Sequence, residues 1–230
     1  MAYLLFFDTE TTGLPATRIP APKLRNNWPD LVSIAWILTD ETGRCLTSEY
    51  HIVQPSEWKI PEAASMVHHI TNEIATRTGS PLKTVINRFI DAVLKADVVV
   101  SHNMEFDKNV IDNALYWRLG YGQTMETFKK RLFCTMNEST PLLKLPSRYP
   151  GKFKPPRLLE LYQGVFHRDP PVEMMLHSAM GDTQVMMACF FKLWPHLLNA
   201  SAVSTNGAGG SSSAHPTKIR LSLEESTETA

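Results

Sequence analysis

Phe7-Asp8-Thr9-Glu10-Thr11-Thr12-Gly13 closes an apolar run that begins at Tyr3, and the reading of this stretch decides the fold. Side chains alternate along a strand, so Asp8 and Glu10 project from one face. Two like charges about 7 Å apart at the end of a buried strand repel each other and resist desolvation. A divalent cation is the usual compensation. A solvated turn after an edge strand has the same Thr-Thr-Gly composition. With nine Asp and fourteen Glu in 230 residues, chance supplies about one-half of an Asp-x-Glu. The pair therefore needs partners before it carries weight.

The chain is 43% apolar and 20% charged, with a formal charge of zero. That suits one sizeable domain with a tail, and it leaves any nucleic-acid contact to local patches. Cys45, Cys134 and Cys189 form no C-x-x-C pair and read as small buried hydrophobes in a reducing compartment. No apolar run approaches a membrane span, and Met1-Ala2-Tyr3 lacks the basic region of a signal peptide. A soluble intracellular protein is expected.

Residues 3–8 read as a short buried strand, placed centrally because it is the most apolar. Pro15, Pro20, Pro22 and Pro29 make 14–30 a loop. Residues 31–53 read as a long hairpin turning at Asp40-Glu41-Thr42-Gly43. A short helix opens at Pro61 and ends near His69. Apolar residues at Leu82, Val85, Ile86, Phe89, Ile90 and Val93 predict a helix over 81–95. A strand over 97–101, a helix over about 105–119, a strand over 132–136 and helices over 157–166 and 179–198 follow. Strands first, then strands alternating with helices, predict an α/β domain with a mixed sheet over residues 1–198. The Ala/Ser/Gly/Thr-rich residues 199–230 cannot bury a core and read as a disordered low-complexity tail.

Two further groups lie where a loop meets a helix. In His102-Asn103-Met104-Glu105-Phe106-Asp107, Asp107 falls in a first helical turn, where an acid is also favoured by the helix dipole alone. In His177-Ser178-Ala179-Met180-Gly181-Asp182, His177 must precede the helix to face the same site as Asp182. An isolated histidine there is usually a surface residue.

Together these segments resemble the DEDDh exonucleases, the DnaQ-like (polymerase III epsilon-like) group of the ribonuclease H-like superfamily. Phe7 to Gly13 matches the first motif, Ser101-His102-Asn103-x-x-Phe106-Asp107 the second, and His177-x-x-x-x-Asp182 the third. Ile60-Pro61-Glu62-Ala63-Ala64-Ser65-x-Val67-His68-His69-Ile70-Thr71 is similar to a further family segment, with His69 in place of a glycine. The similarity runs from about residue 3 to 195.

The resemblance implies a ribonuclease H-like mixed five-stranded sheet flanked by helices. It implies a 3′→5′ exonuclease acting on nucleic acid, with single-stranded DNA favoured, and releasing 5′-mononucleotides. A 3′→5′ exoribonuclease and a non-catalytic nucleic-acid-binding module are the alternatives. It implies two ions, Mg²⁺ or Mn²⁺, which suit hard oxygen ligands and clamp both oxygens of an in-line displacement. Asp8 would bridge them, Glu10 and Asp182 would hold one, and Asp107 the other. His177 would be the general base, its ordinary pKa of about 6.5 suiting proton abstraction near neutrality.

The same resemblance assigns substrate contacts to Thr11, Gly13, Leu14, His68, Asn103 and Phe106. Phe106 reads equally as a core residue, and Asn103 as a helix cap. His102 reads as orienting its loop. Lys144, Arg148, Lys152, Lys154 and Arg157, interleaved with Tyr149 and Phe153, have the chemistry of a strand-binding loop. A solvated flexible insertion is the favoured reading of that stretch.

Overall fold

The computed structural model describes residues 2–174 and 176–195, so the expected tail at 199–230 lies outside the described residues. Strand β1 (Tyr3–Thr11) buries Leu4 and Phe6 on one face and Leu5 and Phe7 on the other. A strand apolar on both faces belongs in the middle of a covered sheet. It lies there, third in the order β3-β2-β1-β4-β5, with β2 (Leu31–Asp40), β3 (Cys45–Ile52), β4 (Val98–Ser101) and β5 (Arg131–Cys134). β1 pairs antiparallel with β2 and parallel with β4, so the sheet is mixed as expected.

One face of β1 packs under α3 (Leu82–Lys95) and α4 (Met104–Asn113), with Phe7, Trp36, Phe89 and Ile111 in the cluster. The other face packs under α7 (Ala179–Leu193). There Phe190 stands edge-on to Phe6 and to Phe133, each at 5.2 Å between ring centres. The short helices α1 (Glu62–His68) and α2 (Asn72–Thr78) cover Val32 through Ile60, Ile70 and Ala75. α5 (Thr135–Leu143) and α6 (Leu158–Phe166) complete the helices. Among the described residues no helix is long and apolar enough to cross a membrane.

Several boundaries differ from the sequence expectation. β1 does not stop at residue 8. It pairs onward, Asp8 opposite Ala35 and Glu10 opposite Ser33, with a bulge between Glu10 and Thr11. The helix expected over 105–119 is α4 followed by a π turn over Ala114–Arg118. The strand expected to reach residue 136 ends at Cys134, and α5 begins at Thr135. The last helix stops at Leu193 because Pro195 cannot continue it. Cysteine burial is also corrected: Cys189 is buried, Cys134 is half-buried, and Cys45 is exposed at the start of the edge strand β3.

The proline-rich 14–30 segment is irregular but fastened. Asn27 caps Thr17 through its carbonyl oxygen, while its amide donates to the carbonyl oxygens of Thr17 and Ile19. The Ala21 amide donates to Asn109 Oδ1, and the Trp117 indole donates to the Ala21 carbonyl.

Phe190 is 1% exposed and joins α7 to the central strands. Phe190→Ala is expected to cost about 3–5 kcal/mol, in the range of other buried aromatic truncations. Urea denaturation followed by circular dichroism checks this, and a loss below about 1 kcal/mol would contradict the packing assigned to α7.

Candidate active site

The two-residue period of β1 divides the site between the sheet's two layers. Asp8 and Glu10 project on the side of Leu4 and Phe6, where α7 packs, and meet Asp182 in the first turn of that helix. One carboxylate oxygen from each of these three residues lies within 4.8 Å of the others. Thr9 projects on the opposite side, toward α4, and its hydroxyl donates to Asp107 Oδ1 at 2.6 Å. The Ser101 hydroxyl at the end of β4 donates to Asp107 Oδ2. Asp107, 2% exposed, is thus gripped from both neighbouring strands.

Burial raises all four acids, and repulsion from neighbouring carboxylates adds to it at Asp8 and Glu10. Desolvation raises the Asp8 carboxyl well above the usual range, and the charges of Asp107, Asp182 and Glu10 add to it. Desolvation, then Asp182 and Asp107, push Glu10 up to about 8. Asp107 is raised to about 6 by burial, against the hydroxyl bonds from Ser101 and Thr9. Asp182 is raised to about 6 by burial, against the His177 amide, which donates to its Oδ1 at 3.3 Å. Among the described residues, no salt bridge is made to any of the four. Four hard oxygen donors short of positive charge fit divalent cations.

His177 sits on the exposed loop before α7 with a left-handed backbone, φ 65°. The turn carries its amide to Asp182 and leaves its side chain in the open. The second histidine, His102, is fixed: Nδ1 meets the Thr135 hydroxyl at 2.9 Å and Nε2 the Pro156 carbonyl at 3.0 Å. Desolvation takes its pKa down to about 4. A neutral ring tying three segments together is a brace.

An open cleft of about 660 Å³ is walled in part by Phe106, the chain neighbour of Asp107, and by Leu14, just after the first motif. Leu14, Thr17, Arg18, Trp28, Asn103, Phe106, Met136 and Pro155 are among its walls. Leu14 is 84% exposed, an apolar side chain held in the open just after the first motif. Gly13 before it has φ 146°, a conformation that favours glycine. The Thr11 hydroxyl donates to the Gly13 carbonyl at 2.7 Å, so it serves the turn. Phe106 does two things at once, lining the cleft and packing edge-on to Trp28 at 5.8 Å. Asn103 makes no side-chain capping bond, although it precedes α4 in a left-handed conformation. His68 is buried beneath the first motif, and its Nδ1 accepts the Ile70 amide. Its desolvated ring faces the Thr11 backbone, with its pKa lowered.

Sequence reading assigned no role to Thr9 or Ser101. Both are hydroxyl residues just beyond apolar runs, residues 3–7 and 98–100, and that is the signal that marks them.

The profile of the RNase T exonuclease family spans residues 5–190. No curated protein sequence is detectably similar to the chain. Among solved structures, E. coli exonuclease I in complex with a dA16 oligonucleotide is similar over 90% of this chain and 44% of its own, at 18% identity and a TM-score of 0.63. The zinc-bound form of the E. coli exonuclease I–single-stranded DNA complex gives 87% and 42%, at 19% identity and a TM-score of 0.62. Exonuclease I of Methylocaldum szegediense gives 87% and 42%, at 20% identity and a TM-score of 0.60. At these identities the likeness is one of fold. The chain spans less than half the length of each of these proteins.

The burial and crowding of these acids have a measurable sign. Raised carboxyl pKa values mean that the folded protein binds protons its unfolded chain does not, so stability is lost as pH rises through them. In a chelator, the melting temperature is expected to rise as pH falls from about 8 toward about 6, the values to which Glu10 and Asp182 are pushed. Saturating Mn²⁺ at the upper pH should raise it by roughly 5 °C or more. Differential scanning fluorimetry checks both, and a flat profile indifferent to Mn²⁺ would contradict the burial and crowding assigned to these acids.

Proposed function

The chain belongs to the RNase T exonuclease family, and on that premise we propose that it removes nucleotides one at a time from the 3′ end of single-stranded DNA. The products are 5′-mononucleotides. The observation that carries this reading is the convergence of Asp8, Glu10 and Asp182 within 4.8 Å, with Asp107 close enough for its charge to act on Asp8. An exposed cleft with apolar and polar walls suits a splayed terminal nucleotide, whose base stacks while its phosphate is held at the acids.

Asp8, Glu10 and Asp182 would hold one divalent ion, and Asp8 with Asp107 a second, Mg²⁺ or Mn²⁺ in each case. When bound, such ions neutralise charge on the phosphate and stabilise the leaving 3′-oxygen. The chain's own residues do the rest. Thr9 and Ser101 fix the Asp107 carboxylate so that it presents a constant geometry. His177, beside Asp182 on the exposed loop, accepts the proton of the attacking water. Water adds to phosphorus, the P–O3′ bond breaks, and the leaving oxygen takes up a proton. Leu14 and Phe106 pack against the terminal base and sugar, and Asn103 donates to a phosphate oxygen.

The test is a time course with 5′-labelled single-stranded DNA, duplex DNA and RNA in Mg²⁺, in Mn²⁺ and in a chelator. Shortening of single-stranded DNA in single-nucleotide steps, abolished by the chelator, is expected. Absence of shortening under every divalent condition would contradict the proposal, and a preference for RNA would move the substrate to the ribonucleotide class. His177→Ala is expected to lower kcat by about 10²–10⁴-fold while leaving DNA affinity in place. Asp8→Ala is expected to abolish turnover, and wild-type activity in that variant would overturn the site assignment.

A further inference from the structure

The chain has zero formal charge, yet the walls of the cleft draw on two segments that hold cations and no acid. Residues 11–29 contain Arg18, Lys23 and Arg25, and residues 140–159 contain Lys144, Arg148, Lys152, Lys154 and Arg157. The second segment is built as a hairpin. The Lys154 amide donates to the Leu145 carbonyl at 3.0 Å, a bridge joins Pro146 to Phe153, and the Lys152 amide closes the turn on the Tyr149 carbonyl at 3.3 Å. This order differs from the flexible insertion expected of its composition.

Both ends of the hairpin are anchored to the site. Before it, α5 contributes Met136 and Asn137 to the cleft. After it, Pro155 lines the same cleft, and the Pro156 carbonyl is bound by His102. Lys154 and Arg157 are engaged by Glu160. Lys144, Arg148 and Lys152 are exposed and, among the described residues, meet no carboxylate. Between them Tyr149 is 56% and Phe153 47% exposed, and the Arg148 guanidinium stacks 4.9 Å from the Tyr149 ring centre. Exposed rings on an ordered turn, interleaved with unpaired cations, offer π-faces to bases and charge to phosphates. A duplex keeps its base faces stacked on one another and has none to offer such rings.

We propose that the 144–154 hairpin is a platform for the single strand leading away from the cleft: bases stack on Tyr149 and Phe153, and Lys144, Arg148 and Lys152 hold the phosphates between them. This rests on the exonuclease reading, and it adds that affinity depends on a run of unpaired nucleotides upstream of the 3′ end.

The experiment separates the two. Binding is measured by fluorescence anisotropy in an Asp8→Asn background, which needs no turnover, using an oligothymidine of about 12 nucleotides, a length one single-strand site can span. Tyr149→Ala with Phe153→Ala is expected to weaken binding about tenfold or more, since each stacked base is worth about one decade. Replacing Lys144, Arg148 and Lys152 by Gln is expected to reduce the salt dependence of log K by about 2. In the otherwise wild-type enzyme the aromatic variant should raise KM on the long oligonucleotide and leave turnover of a dinucleotide unchanged. Unaltered or absent oligothymidine binding would overturn the platform, as would equal losses on both substrate lengths. All the altered side chains are exposed, and an unchanged melting temperature controls for folding. Failure of the wild type to cleave either substrate would count against the exonuclease reading alone.

Discussion

Four carboxylates that repel one another are held at one end of a buried strand, and much of the fold is arranged around that constraint. Asp8 and Glu10 cannot move apart, because the pleat of β1 fixes their spacing and pairing with β2 fixes the pleat. Asp182 cannot retreat, because the aromatic contacts of Phe190 lock α7 against Phe6 and Phe133. Asp107 is tied by hydroxyls on the two strands beside it. Each tie raises the electrostatic cost of holding the four acids together, a cost that a bound cation would relieve.

Much of this is legible in the sequence, for a simple reason. Asp8 and Glu10 close an apolar run whose composition identifies a central strand, and strand period alone sets them on one face. Asp107 and Asp182, by contrast, are legible only through the resemblance to the second and third family motifs. The less legible features depend on partners far along the chain. The continuation of β1 through Glu10 depends on β2, and the start of α5 at Thr135 sits where β4, His102 and Pro156 meet. His69 shows the limit well. It stands where the similar family segment has glycine, and its backbone is indeed left-handed at φ 61°, closing α1. The conformation was implicit in the pattern, but the residue was not the one that usually signals it.

The least legible part is the hairpin over residues 144–154. Proline and lysine in such density ordinarily mean a solvated loop. Order arises here from a short-range backbone closure together with anchors to His102 and Glu160. The same anchoring joins the hairpin to the cleft, whose walls draw on two segments that carry cations and no acid. Such walls suit a polyanion whose terminus must be brought to carboxylates that would otherwise repel it. The similar exonucleases are more than twice as long as this chain.

The most direct measurement is anomalous diffraction from crystals soaked in Mn²⁺. Peaks are expected among the carboxylate oxygens of Asp8, Glu10 and Asp182 and between Asp8 and Asp107, and the first should disappear in an Asp182→Asn crystal. Manganese bound elsewhere, or no peak at these four acids at saturating metal, would contradict the view that their repulsion exists to be neutralised by bound cations.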